Sequence, residues 1–228
     1  MQEMVPDTEL PGSRLGLTRP RLAVALAAAL AAVAADLLIV SRGLPSWTRT
    51  IPFAAAVALY GHLAGWNGEA LGLRIRPAKG LVYWVKAALV MGALVLAACG
   101  GAWLVLRALG RTAPMPTPFG SRAEMLNWLL SACVAAPIVE EGVYRFALCL
   151  PVAAAAGKWP AILVSGAAFA ALHFVAGNPS PDNIVAGFLF AWAFLESRSL
   201  LVPIALHSLG NLCVGAVRAY LMIAGGPA

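Results

Sequence analysis

The sequence predicts an all-α fold, a polytopic transmembrane helix bundle of seven or eight spans. Two global features say so. Of 228 residues, 61% are hydrophobic and only 11% charged, and mean hydropathy is +0.82. Soluble domains carry about 25% charged and about 45–50% apolar residues. The third observation is local: apolar runs close to the roughly 20 residues that a membrane-spanning helix needs alternate with short segments rich in proline, glycine and arginine.

Residues 1–20 hold Pro6, Pro11, Gly12 and Pro20 and read as a disordered tail. Arg14, Arg19 and Arg21 then precede an apolar run, as in a signal peptide. The run has no small-residue cleavage site and is read as a retained first span, Leu22–Val40. Asp36 is taken as part of its polar ending, Asp36 to Arg42. The second span is Ile51–Trp66, followed by a glycine-rich polar connector, Asn67–Gly80. The third is Leu81–Leu106. Arg107–Ser121 is a loop, because Pro114, Pro116 and Pro118 forbid helix.

From Arg122 the pattern is helical through Ala156, too long for one straight span. Pro137, Gly142 and Pro151 supply breaks, so a kinked helix or two separate ones is expected. Spans at Trp159–Val175, Asn183–Leu195 and Leu200–Ile223 complete the set. Residues 21–121 and 122–224 form one integral domain after the tail, with the chemistry in the second segment. Lys and Arg number eight on the side of the N-terminal tail and even-numbered connectors: Arg14, Arg19, Arg21, Arg74, Arg76, Lys79, Lys158 and Arg198. Arg42, Arg49, Arg107, Arg111 and Arg122 make five on the other side, favouring a cytoplasmic N-terminus.

The net charge of +6 is dispersed among loops, where it sets topology and meets anionic lipid headgroups. No basic run interleaved with aromatics suggests nucleic acid. Cys99, Cys133, Cys149 and Cys213 lie in apolar runs without CxxC spacing, so neither a disulfide framework nor a thiolate metal site is indicated.

The chemistry is concentrated at Glu140, Glu141 and Arg145. An ionisable side chain at membrane depth costs at least ~2.5–3.5 kcal/mol, and such groups usually face a bundle interior or a wet cavity. Glu141 and Arg145 share a helix face and suit an ion pair. Glu140 is turned by about 100° from Glu141, so the two carboxylates can differ in role. Phe169 and His173 are four residues apart, as are His207 and Asn211. Polar groups on three separate apolar helices imply a shared interior site lined by Glu140, His173, His207 and Asn211. A membrane histidine near a span end, such as His62, is read instead as an interhelical hydrogen-bond partner.

Glu140-Glu141-x-x-x-Arg145, Phe169-x-x-x-His173 and His207-x-x-x-Asn211, in that order, resemble the CPBP family of intramembrane proteases, which includes CAAX prenyl-protein endopeptidases and bacterial Abi proteins. The resemblance covers about residues 122–222. It implies a glutamic-type endopeptidase in which Glu140, assisted by His173, activates water. His207 and Asn211 would form the oxyanion hole, with Glu141, Arg145 and Phe169 supporting. No cofactor is expected. The metal-dependent alternative would use Glu140, His173 and His207 to hold zinc, a known hydrolase ligand set, although no HExxH helix is present.

The expected partners are membrane lipid and a membrane-anchored protein or peptide, in the cytoplasmic membrane of a bacterium. The substrate class preferred is a C-terminal sorting signal. The competing class is non-catalytic: a scaffold, a bacteriocin-immunity protein, or a proton-coupled carrier using the same carboxylates as a relay. A carrier would show repeated halves with paired broken helices, and no repeat is visible.

Overall fold

The computed structural model describes residues 17–112 and 115–224. Residues 1–16 of the expected tail, and 113 and 114 of the proline loop, lie outside the described residues. The architecture is all-α. Among the described residues the only strand-like pairing is an isolated bridge between Leu73 and Ser199.

Helix α1 is Arg19–Ser41, α2 Thr50–Leu63 and α3 Leu81–Ala108. Helices α4 (Arg122–Leu130), α5 (Ala136–Glu141) and α6 (Leu150–Ala156) follow one another through two π-helical segments. They make one unbroken rod. After it come α7 (Lys158–Val175), α8 (Pro181–Ser197) and α9 (Leu201–Ala224). Four of these, α1, α3, α7 and α9, are long and apolar enough to cross a membrane. The described residues thus form seven continuous helical stretches, and the chain is an integral membrane protein.

Three sequence expectations are corrected. Helix α1 begins at Arg19, with Pro20 in its first turn where a missing N–H does no harm, so the tail ends earlier than residue 20. Asp36 does not end the first span; it lies inside α1 and is fully buried. His62 is exposed on α2 rather than placed between helices.

The rod is not divided, because π-turns absorb both prolines. Ala136 N–H donates five residues back to the Ser131 carbonyl within the π segment Ser131–Ala135. The next donor in that register would be Pro137, which has no N–H. Leu150 N–H likewise donates to Arg145 O at the end of the π segment Gly142–Cys149, immediately before Pro151. Such bulges often accompany functional sites.

Residues 139–151 are buried all round, so this part of the rod is the axis of the bundle. By contrast α3 buries only Trp84 and Met91 and turns most of its apolar surface outward, as a lipid-facing helix does. Helices α7 and α8 approach closely at Gly166 and Gly187. A Cβ at Gly187 would stand 3.0 Å from the Gly166 carbonyl oxygen, so a side chain there would press the two helices apart by a few tenths of an ångström.

One end of the bundle is tied by the connector before α3. Leu200 N–H donates to Gly72 O at 2.9 Å, Ala78 N–H to Ser197 O at 2.7 Å, and Ser199 Oγ to Arg74 O at 2.6 Å. Glu196 there binds both Lys79 and Lys158. Hydrogen bonding to Glu196 raises the Lys79 ammonium pKa and keeps it charged. The polar cluster lies toward the opposite end: His173 is two residues from the end of α7, and Asp36 five from the end of α1.

Candidate active site

The rod's two adjacent glutamates face different partners. Glu141 is fully buried and accepts from Arg145 Nε at 2.8 Å, one turn on in the same rod. Its other oxygen lies 2.9 Å from His207 Nδ1 on α9. Arg145 Nη1 donates to Ser165 Oγ on α7 at 2.8 Å, and the Ser165 hydroxyl donates to Tyr144 O at 2.8 Å. Arg145 Nη2 has no hydrogen-bond partner; the guanidinium instead lies 4.8 Å from the Phe169 ring centre, over its electron-rich face. A charge pair this deep is maintained only by excellent geometry and extra hydrogen bonds, and both are present.

Glu140, 6% exposed, turns toward α1 and the 3-10 turn Ser46–Arg49. Arg49 Nη1 donates to its Oε1 at 3.1 Å. The rest of the Arg49 fork donates to Asp36, Nε to Oδ1 at 2.8 Å and Nη2 to Oδ2 at 3.0 Å, while the Tyr144 hydroxyl donates to Asp36 Oδ2 at 2.9 Å. Burial by itself would lower the Arg49 pKa. Hydrogen bonds to Asp36 and the charges of Glu140 and Asp36 outweigh it and hold the guanidinium well above its ordinary value.

His207 joins the two halves. Its Nε2 is 3.9 Å from Glu140 Oε2, while Nδ1 faces Glu141. Phe190 stacks on its ring at 5.2 Å between centroids, and Phe169 meets it edge-on at 5.8 Å. Phe169 also packs against His173 at 4.7 Å and Tyr144 at 5.6 Å, so this one ring spaces both imidazoles. His173, 8% exposed, has Nδ1 3.2 Å from Asn178 Oδ1. An amide oxygen only accepts, so Nδ1 carries the proton and Nε2 presents a lone pair. That Nε2 is buried and has no protein partner.

Asn211 is half-buried one turn beyond His207, and its Nδ2 donates to Ala132 O at 2.6 Å. Ala132 is the carbonyl that Pro137 leaves without a π-register donor, so the asparagine serves the rod's first bulge. Near the second bulge a side chain also meets a carbonyl of the rod, in the α-helical register of Pro151. The Tyr60 hydroxyl lies 2.7 Å from Ala147 O, four residues before Pro151, and 2.9 Å from Ala25 O.

Glu140, Glu141, Arg145, Phe169, His173 and His207 therefore form one connected cluster. Asn211 is attached through the rod rather than by direct contact. Sequence reasoning missed Asp36 and Arg49, treating the first as a span end and the second as a topology-setting loop arginine. The signal for Asp36 was present: a carboxylate in an apolar run, the same cost that marked Glu140. Arg49 left no such sign.

No three His, Cys, Asp or Glu side chains among the described residues are gathered closely enough to hold an ion, and a guanidinium already binds Glu140.

Fold and cluster together define an integral membrane protein with ionised groups enclosed at the axis of an apolar bundle. A scan against protein-family models matches residues 122–213, less than half of the chain, to the type II CAAX prenyl endopeptidase, Rce1-like. No curated protein and no solved structure matches the chain. The matched segment carries all seven residues of the three motifs and neither Asp36 nor Arg49.

Proposed function

We propose that the protein is a glutamic-type intramembrane endopeptidase of a bacterial cytoplasmic membrane, with Glu140 as general base. The observation that carries this reading is His207 held between the two glutamates, one ring nitrogen facing each carboxylate. Glu140 Oε2 takes a proton from water while the water oxygen bonds to the scissile carbonyl carbon. The His173 Nε2 lone pair accepts the water's second hydrogen and aligns it. The proton on Glu140 then passes to the departing amine, leaving a carboxylic acid and an amine as products.

The oxyanion is bound by His207 Nε2–H and by the Asn211 N–H not engaged with Ala132. Since Nδ1 donates to Glu141, His207 must carry both ring protons to donate from Nε2 as well. Oxyanion donors of this kind are worth about 3–4 kcal/mol of transition-state stabilisation.

The substrate class we propose is a single-span protein cut near the membrane, with a C-terminal sorting tail of short motif, apolar span and basic residues. A membrane-tethered reporter bearing such a tail, co-produced with the protein, provides the test. Wild type shortens the reporter, and Glu140→Gln lets uncut reporter accumulate, a loss of at least about a hundredfold. Unchanged processing by that variant removes the protease reading and leaves a scaffold or carrier. Cleavage that a chelator abolishes and added zinc restores would replace the glutamic mechanism with a metal-dependent one.

A further inference from the structure

We propose that Arg49, anchored by Asp36, is a positioning residue for Glu140, so that the chain's N-terminal region completes the active site. The inference rests on the protease reading above and adds residues outside the matched segment.

Arg49 sits on a short turn between α1 and α2, where an unconstrained arginine would extend into water. It folds inward instead, and its side chain is only 12% exposed. Two of its nitrogens form a fork on Asp36, which fixes the guanidinium plane. The third reaches Glu140 Oε1, leaving Oε2 toward His207. Asp36 is in turn fixed by the hydroxyl of Tyr144, a residue of the rod itself. The closed path Glu140–Arg49–Asp36–Tyr144 thus returns to the rod four residues from where it began.

The charged and titratable groups around Glu140 are Arg49 from the turn, Asp36 from α1, Glu141 and Tyr144 from the rod, His173 from α7 and His207 from α9. Of these only Arg49 donates a hydrogen bond to it. Without Arg49 the carboxylate keeps its place in the rod but loses the partner that selects which oxygen faces the catalytic side. A misplacement of about 1 Å can cost a hundredfold in rate.

The test uses the purified full-length protein in detergent micelles and the fastest-cut member of an internally quenched peptide library. Arg49→Gln is expected to lower kcat by about a hundredfold while KM stays within about threefold. Arg49→Lys, which keeps the charge but not the fork, recovers part of that loss. Asp36→Asn acts in the same direction, and the double variant Arg49→Gln/Asp36→Asn is no slower than Arg49→Gln alone, because the pair acts as a unit. A merely structural role predicts losses that multiply and follow the melting temperature, and that outcome overturns the proposal. So do wild-type kcat values in Arg49→Gln and Asp36→Asn beside an inactive Glu140→Gln. Should Arg49→Gln fail to fold, Arg49→Lys and Asp36→Asn decide by the same criteria. If wild type cuts no peptide, or Glu140→Gln still cuts, the protease reading falls and takes this inference with it.

Discussion

Arg145 shows how a charge is tolerated at the centre of the bundle. It is fully buried, yet it meets Glu141, Ser165 and the face of Phe169 within a single side-chain length. Breaking a buried pair by removing one partner costs about 3–5 kcal/mol, because the other charge is stranded. Arg145→Leu is therefore expected to lower the melting temperature in detergent far more than Ser165→Ala, which removes one hydroxyl and costs about 1–3 kcal/mol. Equal shifts would mean that Glu141 finds another counter-charge. The i, i+4 spacing made this pair legible in sequence, as it did the His207–Asn211 face. That the two glutamates face different partners was legible as well, since adjacent helical residues point about 100° apart.

At the scale of the element, the rod decides where Asn211 can act. Its first π-bulge leaves the Ala132 carbonyl to a side chain because Pro137 has no amide hydrogen. Pro137→Ala restores that hydrogen and sets a backbone donor in competition with Asn211. The expected result is an intact fold, seen as an unchanged or higher melting temperature, with a cleavage rate at least about tenfold lower through loss of oriented oxyanion stabilisation. A rate equal to wild type would show that the asparagine needs no such anchor. Sequence placed the prolines and expected a break or a kink. It did not foresee that a wider helical turn would absorb them, because i→i+5 bonding depends on which side chains arrive to serve the orphaned carbonyls.

Across the whole molecule, the polar cluster and the connector before α3 lie at opposite ends. Arg19, the connector before α3, Lys158 and Arg198 share one end, where Glu196 binds Lys79 and Lys158. Arg49, the end of α7 and Asn178 share the other. Arg49 is turned inward and leaves the loop tally of that end. The balance becomes eight against four, so the site is expected to open on the face away from the cytoplasm. In a cysteine-free background, a membrane-impermeant maleimide added to intact cells should label Ser46→Cys but reach Ile75→Cys only after lysis. The reverse pattern would place the site on the cytoplasmic side.

The sequence by itself determined the helical class, nearly every helix boundary to within a few residues, and the three spaced motifs. All of these are local: an apolar run of membrane length, or two side chains one helical turn apart, can be read without knowing what lies opposite. Only the tertiary structure decided that Asp36 and Arg49 belong with Glu140. Arg49 and Glu140 are separated by 91 positions, and an arginine in a loop looks the same whether it faces water or a buried carboxylate. The difference arises from the packing of α1 and the following turn against the rod, which brings Arg49 within reach of two acids that no stretch of chain places beside it.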